Sequence, residues 1–174
     1  MADLVLFALN EHSTDEILAE NGGQWRLFTD RVMGGVSSGQ LGPDKVAGRA
    51  CLRMRGNVNL ENNGGFVQMA LNLGDSLPQQ LTRFGGLSLE VYGNTESYNV
   101  HLRTEQMRLP WQSYRAGFVA KPTWQTIQLP FAEFEPHRTS EILDVSRLRR
   151  LGLVAIGRAF AADLCVARVS FYEE

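Results

Sequence analysis

The densest group of residues that could bind a ligand is residues 30–37, which read DRVMGGVS. Successive backbone N–H groups at paired glycines can form a nest for an anion, and the Arg31 guanidinium could hold a carboxylate through two hydrogen bonds. The alternative is a tight turn between two strands, pinned by a hydrogen bond of Asp30 or Arg31. A nucleotide phosphate loop is excluded, because the GxxxxGK[ST] spacing is missing and no helix pattern follows.

A second cluster, residues 61–66, reads ENNGGF. Asparagine and glycine tolerate left-handed backbone, so one interpretation is a turn or bulge that enters a strand at Phe66. The other is a rim loop whose Asn62 and Asn63 amides hydrogen-bond a sugar or the backbone of a partner protein. The spacing alone leaves both interpretations open.

Several aromatic residues with polar groups could form a platform for a sugar. Tyr98 and Tyr114, together with Arg103, could line a concave sheet face on which sugar rings stack. Trp25 and Trp111 extend this set. The alternative is an ordinary sandwich core, because alternating apolar residues surround these rings.

Candidate catalytic and metal-binding residues lack the spacing that such sites need. The histidines form no HExxH-like pattern, no GxSxG surrounds Ser37 or Ser38, and no acidic loop has calcium-ligand spacing. A glycosidase needs a pair of carboxylates, and the candidates for it are Glu90, Glu105, Glu133, Glu135 and Glu141. None of them has a recognisable partner in the sequence. We therefore expect no enzymatic activity, no metal and no cofactor.

Composition restricts the class of protein and its compartment. The chain has 174 residues, a net charge of -2, 44% hydrophobic and 21% charged residues, which suits one globular domain over residues 1–174. A near-neutral charge argues against a nucleic-acid partner. The apolar run of residues 4–9 is shorter than the ~20 residues of a membrane span and follows no basic segment, so we expect a cytoplasmic protein. Cys51 and Cys165 suit two reduced, buried thiols.

Alternation of apolar and polar residues with period 2 predicts a chain of short strands. The predicted strands lie within residues 4–7, 46–55, 67–73, 87–91, 98–103, 114–118, 124–129, 151–155 and 164–172. A hairpin loop is predicted at residues 93–96. Short helices are predicted to start at the capping box of residues 13–16, before Ile17 and Leu18, and to run from Ser140 or Asp144 to Leu148. Strands at ~10-residue spacing with one or two short helices predict an all-β sandwich or jelly roll.

These motifs, in this order, resemble the complex I intermediate-associated protein 30 family. The resemblance begins at Trp25 and the DRVMGGVS stretch, which is more specific than any isolated glycine motif. It continues through the LENNGGF stretch of residues 60–66. Further matching segments extend it over nearly the whole chain: 86–92, Tyr98, 102–103, 114–118, 124–136 and 151–172.

The resemblance implies a galactose-binding-domain-like β-sandwich, similar to certain carbohydrate-binding modules. It also implies a role in assembling respiratory complex I (NADH:ubiquinone oxidoreductase), through contacts with its subunits or assembly intermediates and without a reaction of its own. Such a protein would reach the inner membrane only through a partner. The alternative is a carbohydrate-binding module-like protein that uses an aromatic-lined concave sheet face.

A functional surface, if the protein acts through one, has six candidate residues. They are Asp30, Arg31, Asn62, Asn63, Tyr98 and Arg103. Arg31 is expected to contact a carboxylate through two hydrogen bonds, within the chain or on a partner. If the DRVMGGVS stretch is a structural turn, replacing Arg31 should affect stability more than binding.

Overall fold

The structure, a computed structural model, describes residues 3–9 and 23–173. Within these residues, two antiparallel sheets pack face to face and confirm the predicted galactose-binding-domain-like β-sandwich. In chain order the strands are β1 (Leu4–Ala8), β2 (Arg26–Thr29), β3 (Ser38–Val46), β4 (Arg49–Val58), β5 (Phe66–Asn72), β6 (Gly86–Tyr92), β7 (Glu96–Thr104), β8 (Ser113–Ala120), β9 (Gln125–Pro130), β10 (Glu135–His137), β11 (Leu148–Ile156) and β12 (Phe160–Tyr172).

Each sheet combines strands that are distant in the chain. The first sheet has the order β3-β4-β12-β6-β9, and β1 pairs with the later part of β12. The second sheet has the order β10-β8-β7-β11-β5-β2. Successive strands therefore often lie in different sheets, as in a jelly roll.

The core lies between the two sheets and follows the alternation along each strand. In β7, Tyr98, Val100 and Leu102 are buried in this core. His101 and Arg103 project from the opposite side of the same strand, because successive side chains point to opposite faces of a sheet. The odd-numbered residues of β7 therefore contribute to the outer face of the second sheet.

The hairpin of β3 and β4 corrects the predicted strand at residues 46–55. Val46 ends β3, and β4 begins at Arg49. Ala47 and Gly48 both have positive φ, 48° and 80°, and form the two-residue loop that closes the hairpin. The alternation pattern did not predict β3, because this strand is rich in glycine and contains a proline. An edge strand tolerates such residues, because one side of its backbone faces solvent.

The loop at residues 93–96 is not the predicted hairpin. β6 lies in the first sheet and β7 in the second, so the loop crosses from one sheet to the other. Its backbone pairs with the chain after β8 instead, since Gly93 N donates to Lys121 O (2.9 Å). Both arrangements need a tight polar turn, which is why the local sequence does not separate them.

The helical segments of the described residues are short 3-10 turns. They are Asp30–Met33, Glu61–Asn63, Pro78–Arg83, Phe131–Glu133 and Val145–Arg147. The helix predicted before Leu148 is confirmed as one turn, which Asp144 caps by accepting a hydrogen bond from Ser146 N (3.0 Å). The helix predicted at residues 13–16 lies outside the described residues. No helix in the described ranges is long and apolar enough to span a membrane.

The two cysteines lie on neighbouring strands of the first sheet. Cys51 of β4 and Cys165 of β12 are free and buried, in a small apolar cluster with Ala167. Trp124 packs against this cluster and donates from Nε1 to Val46 O (2.9 Å). The predicted burial of both thiols is confirmed.

Candidate functional site

The DRVMGGVS stretch connects β2 of the second sheet to β3 of the first and is organised by Asp30, which is fully buried. Its carboxylate accepts hydrogen bonds from Ser37 N (2.9 Å) and Ser37 Oγ (2.5 Å). It also accepts from the backbone N–H groups of Gly65 (2.5 Å) and Phe66 (3.2 Å). One carboxylate thus ties the two glycine-rich clusters to each other, and we call this arrangement the Asp30 junction.

The anion in this backbone nest is the chain's own carboxylate. The structure therefore supports the pinned turn and corrects the interpretation as a nest for an external anion. Gly35 and Gly64 are required here, because a Cβ at Gly64 would lie 2.6 Å from Asp30 Oδ2 and one at Gly35 would overlap Asp30 Cγ. Gly34 has φ of 86°, a left-handed conformation that favours glycine.

The Asp30 carboxylate is ionised at neutral pH. Burial alone would raise the pKa of Asp30, but the hydrogen bonds from Ser37, Gly65 and Phe66 outweigh burial and hold the pKa below the ordinary 3.8. This negative charge is therefore compensated inside the fold. It stabilises the junction and is not presented to a partner.

Three other candidate residues lie on the outside of the Asp30 junction. Arg31 Nε donates to Ser37 O (2.8 Å), and Asn62 Nδ2 donates to Gly34 O (3.3 Å). Arg31, Asn62 and Asn63 are all exposed. Both asparagines have φ of 58°, which confirms the predicted turn before β5. Within the described residues, the Arg31 side chain bonds to a backbone carbonyl and not to a carboxylate; a carboxylate on a partner remains a prediction.

Replacing Arg31 by alanine is expected to lower the free energy of unfolding by about 1 kcal/mol, because it removes one charge-assisted hydrogen bond to a part-buried carbonyl. Partner binding should change less than stability. Thermal melting and capture of a partner on the same variant measure both effects. An unchanged melting temperature would contradict the structural role of Arg31.

The Asp30 junction presents apolar side chains to solvent. Val32 and Met33 are 74% and 58% exposed, and Val36 and Leu60 are exposed as well. A single exposed apolar residue is ordinary, but here four lie on two segments that one buried carboxylate holds together. We call Val32, Met33, Val36 and Leu60 the signature patch.

Arg103 lies on the outer face of the second sheet. Its Nη1 donates to three backbone carbonyl oxygens, those of Leu109 (2.9 Å), Pro110 (3.0 Å) and Gln112 (2.7 Å). The guanidinium thereby holds the loop between β7 and β8. Among the candidate residues, Arg103 thus belongs to a different surface from the Asp30 junction.

Tyr98 belongs to the core, which corrects its assignment to a binding surface. Its hydroxyl donates to Asn94 Oδ1 (2.6 Å) and accepts from Asp163 N (2.9 Å). Burial raises the pKa of Tyr98 to about 12. Tyr98 and Arg103 cannot share a face, because they lie an odd number of positions apart on one strand.

The predicted sugar platform is not formed by these aromatic rings. Trp25 and Tyr114 are buried like Tyr98, and the Tyr114 hydroxyl donates to Glu141 O (2.9 Å). Trp111 is the exposed member of the set, at 55%. Three of the four rings therefore serve the core, which is the alternative that the alternating apolar residues favoured.

Comparison with known proteins decides the family of the chain. Residues 13–165 match the family model of complex I intermediate-associated protein 30. The chain belongs to this family. Both the Asp30 junction and the signature patch fall within the matched residues. No curated protein matches the chain at a significant level.

Several solved structures similar to this family member are carbohydrate-binding modules. A family 11 module of a cellulosomal cellulase of Clostridium thermocellum has a TM-score of 0.75 at 10% identity, with 100% of this chain and 96% of that chain covered. A family 30 module from the same organism has a TM-score of 0.61 at 13% identity, covering 100% and 99%. At such low identity the likeness shows the sandwich fold alone.

Two of the acidic candidates for hydrolysis, Glu90 and Glu105, form ion pairs in this family member. Glu90 pairs with Arg49 (2.7 Å), and Glu105 pairs with Arg147 (2.6 Å). Among the described residues, no three His, Cys, Asp or Glu side chains come together as a metal-binding group.

Two groups of residues in this member of the complex I intermediate-associated protein 30 family were not predicted from the sequence. One is the signature patch. The sequence feature that could have indicated it is the presence of apolar residues in a glycine-rich turn, outside any strand that could bury them. The other is a set of cationic and polar side chains beside Arg103, formed by His101, Arg115 and Arg150. Its signal is that these residues occupy the outward positions of predicted strands.

Proposed function

We propose that this protein is a non-catalytic assembly factor that acts through protein contacts, with the signature patch as its main contact surface. The observation that carries the proposal is the combination of a buried, fully hydrogen-bonded Asp30 with exposed Val32 and Met33 on the same turn. The buried residues of the motif hold the turn, and the turn displays the apolar ones.

The exposure of the patch supports a binding role on energetic grounds. Burying apolar surface stabilises by about 25 cal/mol per Å², so a partner that covered these four neighbouring side chains together would gain binding free energy. Groups of exposed apolar residues with a polar rim are typical of protein-binding sites. Arg31, Asn62 and Asn63 supply such a rim here.

Rigidity of the patch also favours recognition. Asp30 fixes both segments, and Asn62 links them a second time through Gly34 O. A pre-organised contact surface loses little conformational freedom on binding, so more of the contact energy appears as affinity.

Family membership supports one class of partner for this proposal. Membership of the complex I intermediate-associated protein 30 family favours subunits or assembly intermediates of respiratory complex I as the bound proteins. The protein would work in the cytoplasm and reach the membrane-bound complex through such a partner. It would hold the partner's surface during assembly and leave no product of a reaction.

The proposal is tested with the double variant Val32→Asp/Met33→Asp in the full chain. Charging two exposed side chains should leave the melting temperature nearly unchanged and reduce capture of complex I intermediates from the native host by about tenfold or more. The matched control is Ile142→Asp, because Ile142 is 88% exposed and lies outside the patch. Equal capture by the double variant and the native chain would refute the patch as the contact surface.

Deletion of the gene tests the assembly role separately. We expect less fully assembled complex I and an accumulation of intermediates on native gels. Complementation with the native chain should restore assembly, whereas complementation with the double variant should not. Normal amounts of the assembled complex in the deletion strain would remove the complex I role.

A further inference from the structure

A second site lies on the outer face of the second sheet, in a cavity of about 140 Å³. The polar side chains that line it are Gln68 of β5, His101 and Arg103 of β7, Gln112 of the loop between β7 and β8, Ser113 and Arg115 of β8, and Arg150 of β11. Four adjacent strands thus contribute to one concave surface. The lining combines three guanidinium groups with neutral hydrogen-bonding groups and contains no carboxylate.

The three arginines of the cavity differ from many others in the chain. Arg49, Arg53, Arg147, Arg149, Arg158 and Arg168 each pair with an aspartate or glutamate. Across residues 3–9 and 23–173, no carboxylate comes within 4.0 Å of the cavity arginines in an ion pair. Glu135 is the cross-strand neighbour of Arg115, yet its side chain is exposed and forms no such pair.

Strand register brings these like charges together. Arg150 of β11 lies directly opposite Arg103 of β7, and His101 lies opposite Arg115 of β8. Like charges at directly opposed positions destabilise a sheet. Burial lowers the pKa of all three guanidinium groups, and the neighbouring cations lower it further at Arg115 and Arg150. The folded chain therefore holds a cluster of positive charge whose guanidinium groups bond to neutral oxygens of Leu109, Pro110, Gln112 and Ser113 and to no carboxylate among the described residues.

His101 adds a buried nitrogen that has no partner. The residue is 8% exposed, and its Nε2 forms no hydrogen bond with any described group. Burial, together with the charges of Arg115 and His137, lowers the pKa of His101 to about 3, so the ring is neutral at physiological pH. An unpaired buried polar atom destabilises a fold unless something else satisfies it, and here it lines the cationic cavity.

The cavity is shaped by a glycine. Gly152 faces the cavity side of β11, opposite His101, and the Gln68 amide occupies the space in which a Cβ would stand. The Arg150 guanidinium lies 4.4 Å above the Phe28 ring, which orients it between the cavity and an adjoining groove. Packing on Phe28 therefore holds the Arg150 guanidinium beside the cavity.

We propose that this cavity binds a phosphate monoester group. Three arginines without a carboxylate call for more than one negative charge, and a phosphate monoester carries about −1.5 to −2 at pH 7. Its oxygens match the paired N–H donors of guanidinium groups and accept from neutral donors such as His101, Gln68 and Ser113. The adjoining groove, which Arg150 shares with Arg26 and Phe28, provides room for the rest of the ester.

The assignment goes beyond the proposed function, because it uses neither the signature patch nor a protein partner. The phosphate could belong to a soluble ester or to a lipid headgroup, which share this chemistry. The test therefore uses glycerol phosphate as the soluble probe, and vesicles of phosphatidylcholine with and without phosphatidic acid as the lipid probe. Binding to either probe supports the assignment and tells the two sources apart.

The full chain should bind glycerol phosphate in a calorimetric titration, and Arg115→Gln and Arg150→Gln should each weaken the affinity about tenfold or more. Both variants should also melt at a higher temperature than the native chain in phosphate-free buffer, because each relieves charge repulsion. Arg55→Gln, the same substitution on the first sheet, is the control and should alter neither property. If these arginines only stabilised the fold, their replacement would lower the melting temperature and would not weaken phosphate binding.

His101→Phe provides the second variant, since it keeps an aromatic ring and removes the unpaired nitrogen. We expect unchanged or higher stability and weaker phosphate binding. The assignment would be overturned if acetate bound as tightly as glycerol phosphate, or if neither phosphate probe bound the native chain. It would also fail if the cavity variants bound like Arg55→Gln.

Discussion

Replacing Asp30 by asparagine is expected to lower the free energy of unfolding by about 3 kcal/mol at pH 7. The carboxylate accepts bonds from Ser37, Gly65 and Phe66. An amide presents an NH₂ group to donors that need an acceptor, so at least one buried N–H or O–H group is left unpaired. Gly35 and Gly64 pack directly against the carboxylate, and the junction therefore has no room to rearrange.

The matched control for this substitution is Asp44→Asn. Asp44 also has a pKa below its ordinary value, because of Arg53 and the Lys45 N–H, but it lies on the surface of the first sheet. Surface ion pairs contribute little to stability, so Asp44→Asn should lose far less than Asp30→Asn. Urea unfolding of both variants measures the difference. Equal stability of the two variants would contradict the role assigned to the Asp30 junction.

The effect of Asp30 should depend on pH in a defined direction. Its pKa is lower in the folded chain than the ordinary 3.8, so the folded state favours the ionised form. The stability that this shift contributes is present above pH 3.8 and is lost as the pH falls through the folded pKa. The stability difference between native chain and Asp30→Asn should therefore be constant from pH 5 to 7 and shrink in stronger acid. A difference that grew on acidification would contradict the assignment.

Replacing Tyr98 by alanine is expected to lower the free energy of unfolding by about 4 kcal/mol, because a large, fully buried ring is removed. Tyr98 packs against Phe118 and Phe160, with ring centroids 6.1 and 5.9 Å away. Its hydroxyl also joins β7 of the second sheet to Asp163 of β12 in the first.

Tyr98→Phe separates the two contributions. Loss of the hydroxyl leaves Asp163 N and Asn94 Oδ1 without their partner and should cost about 1.5 kcal/mol. Trp111→Ala is the control, because this ring is exposed and its removal should have little effect on stability. Thermal and urea unfolding report all three values. A Tyr98→Ala variant as stable as Trp111→Ala would contradict the assignment of Tyr98 to the core.

Edge strands show where local sequence patterns lose their power. The alternation of apolar and polar residues did not predict β2, β3 or β10, and each of these strands lies at the edge of a sheet. An edge strand contacts only one neighbour, so it needs fewer apolar residues and tolerates glycine and proline. The central strands β7, β11 and β12 have neighbours on both sides and carry the alternation that predicted them.

The candidate site divides in the same way. Residue types and order identified the two glycine-rich clusters and the family, because these features are local. Whether Asp30 faced a partner or the chain itself depended on Gly65 and Phe66, which lie 35 and 36 positions away. The residues next to Asp30 in the sequence do not indicate which distant backbone groups its carboxylate contacts. The exposure of the signature patch could therefore not be predicted from the local sequence.

The sequence by itself determined the strand-rich class, the approximate positions of the central strands and the family. Each depends on neighbours within a few positions, where alternation and turn chemistry act directly. Only the tertiary structure decided which sheet each strand joins, and hence which side chains meet. The burial of Tyr98 follows the alternative that local alternation favoured, but the meeting of His101 with Arg115 and Arg150 in one cationic cavity does not, because pairing between distant strands sets the register.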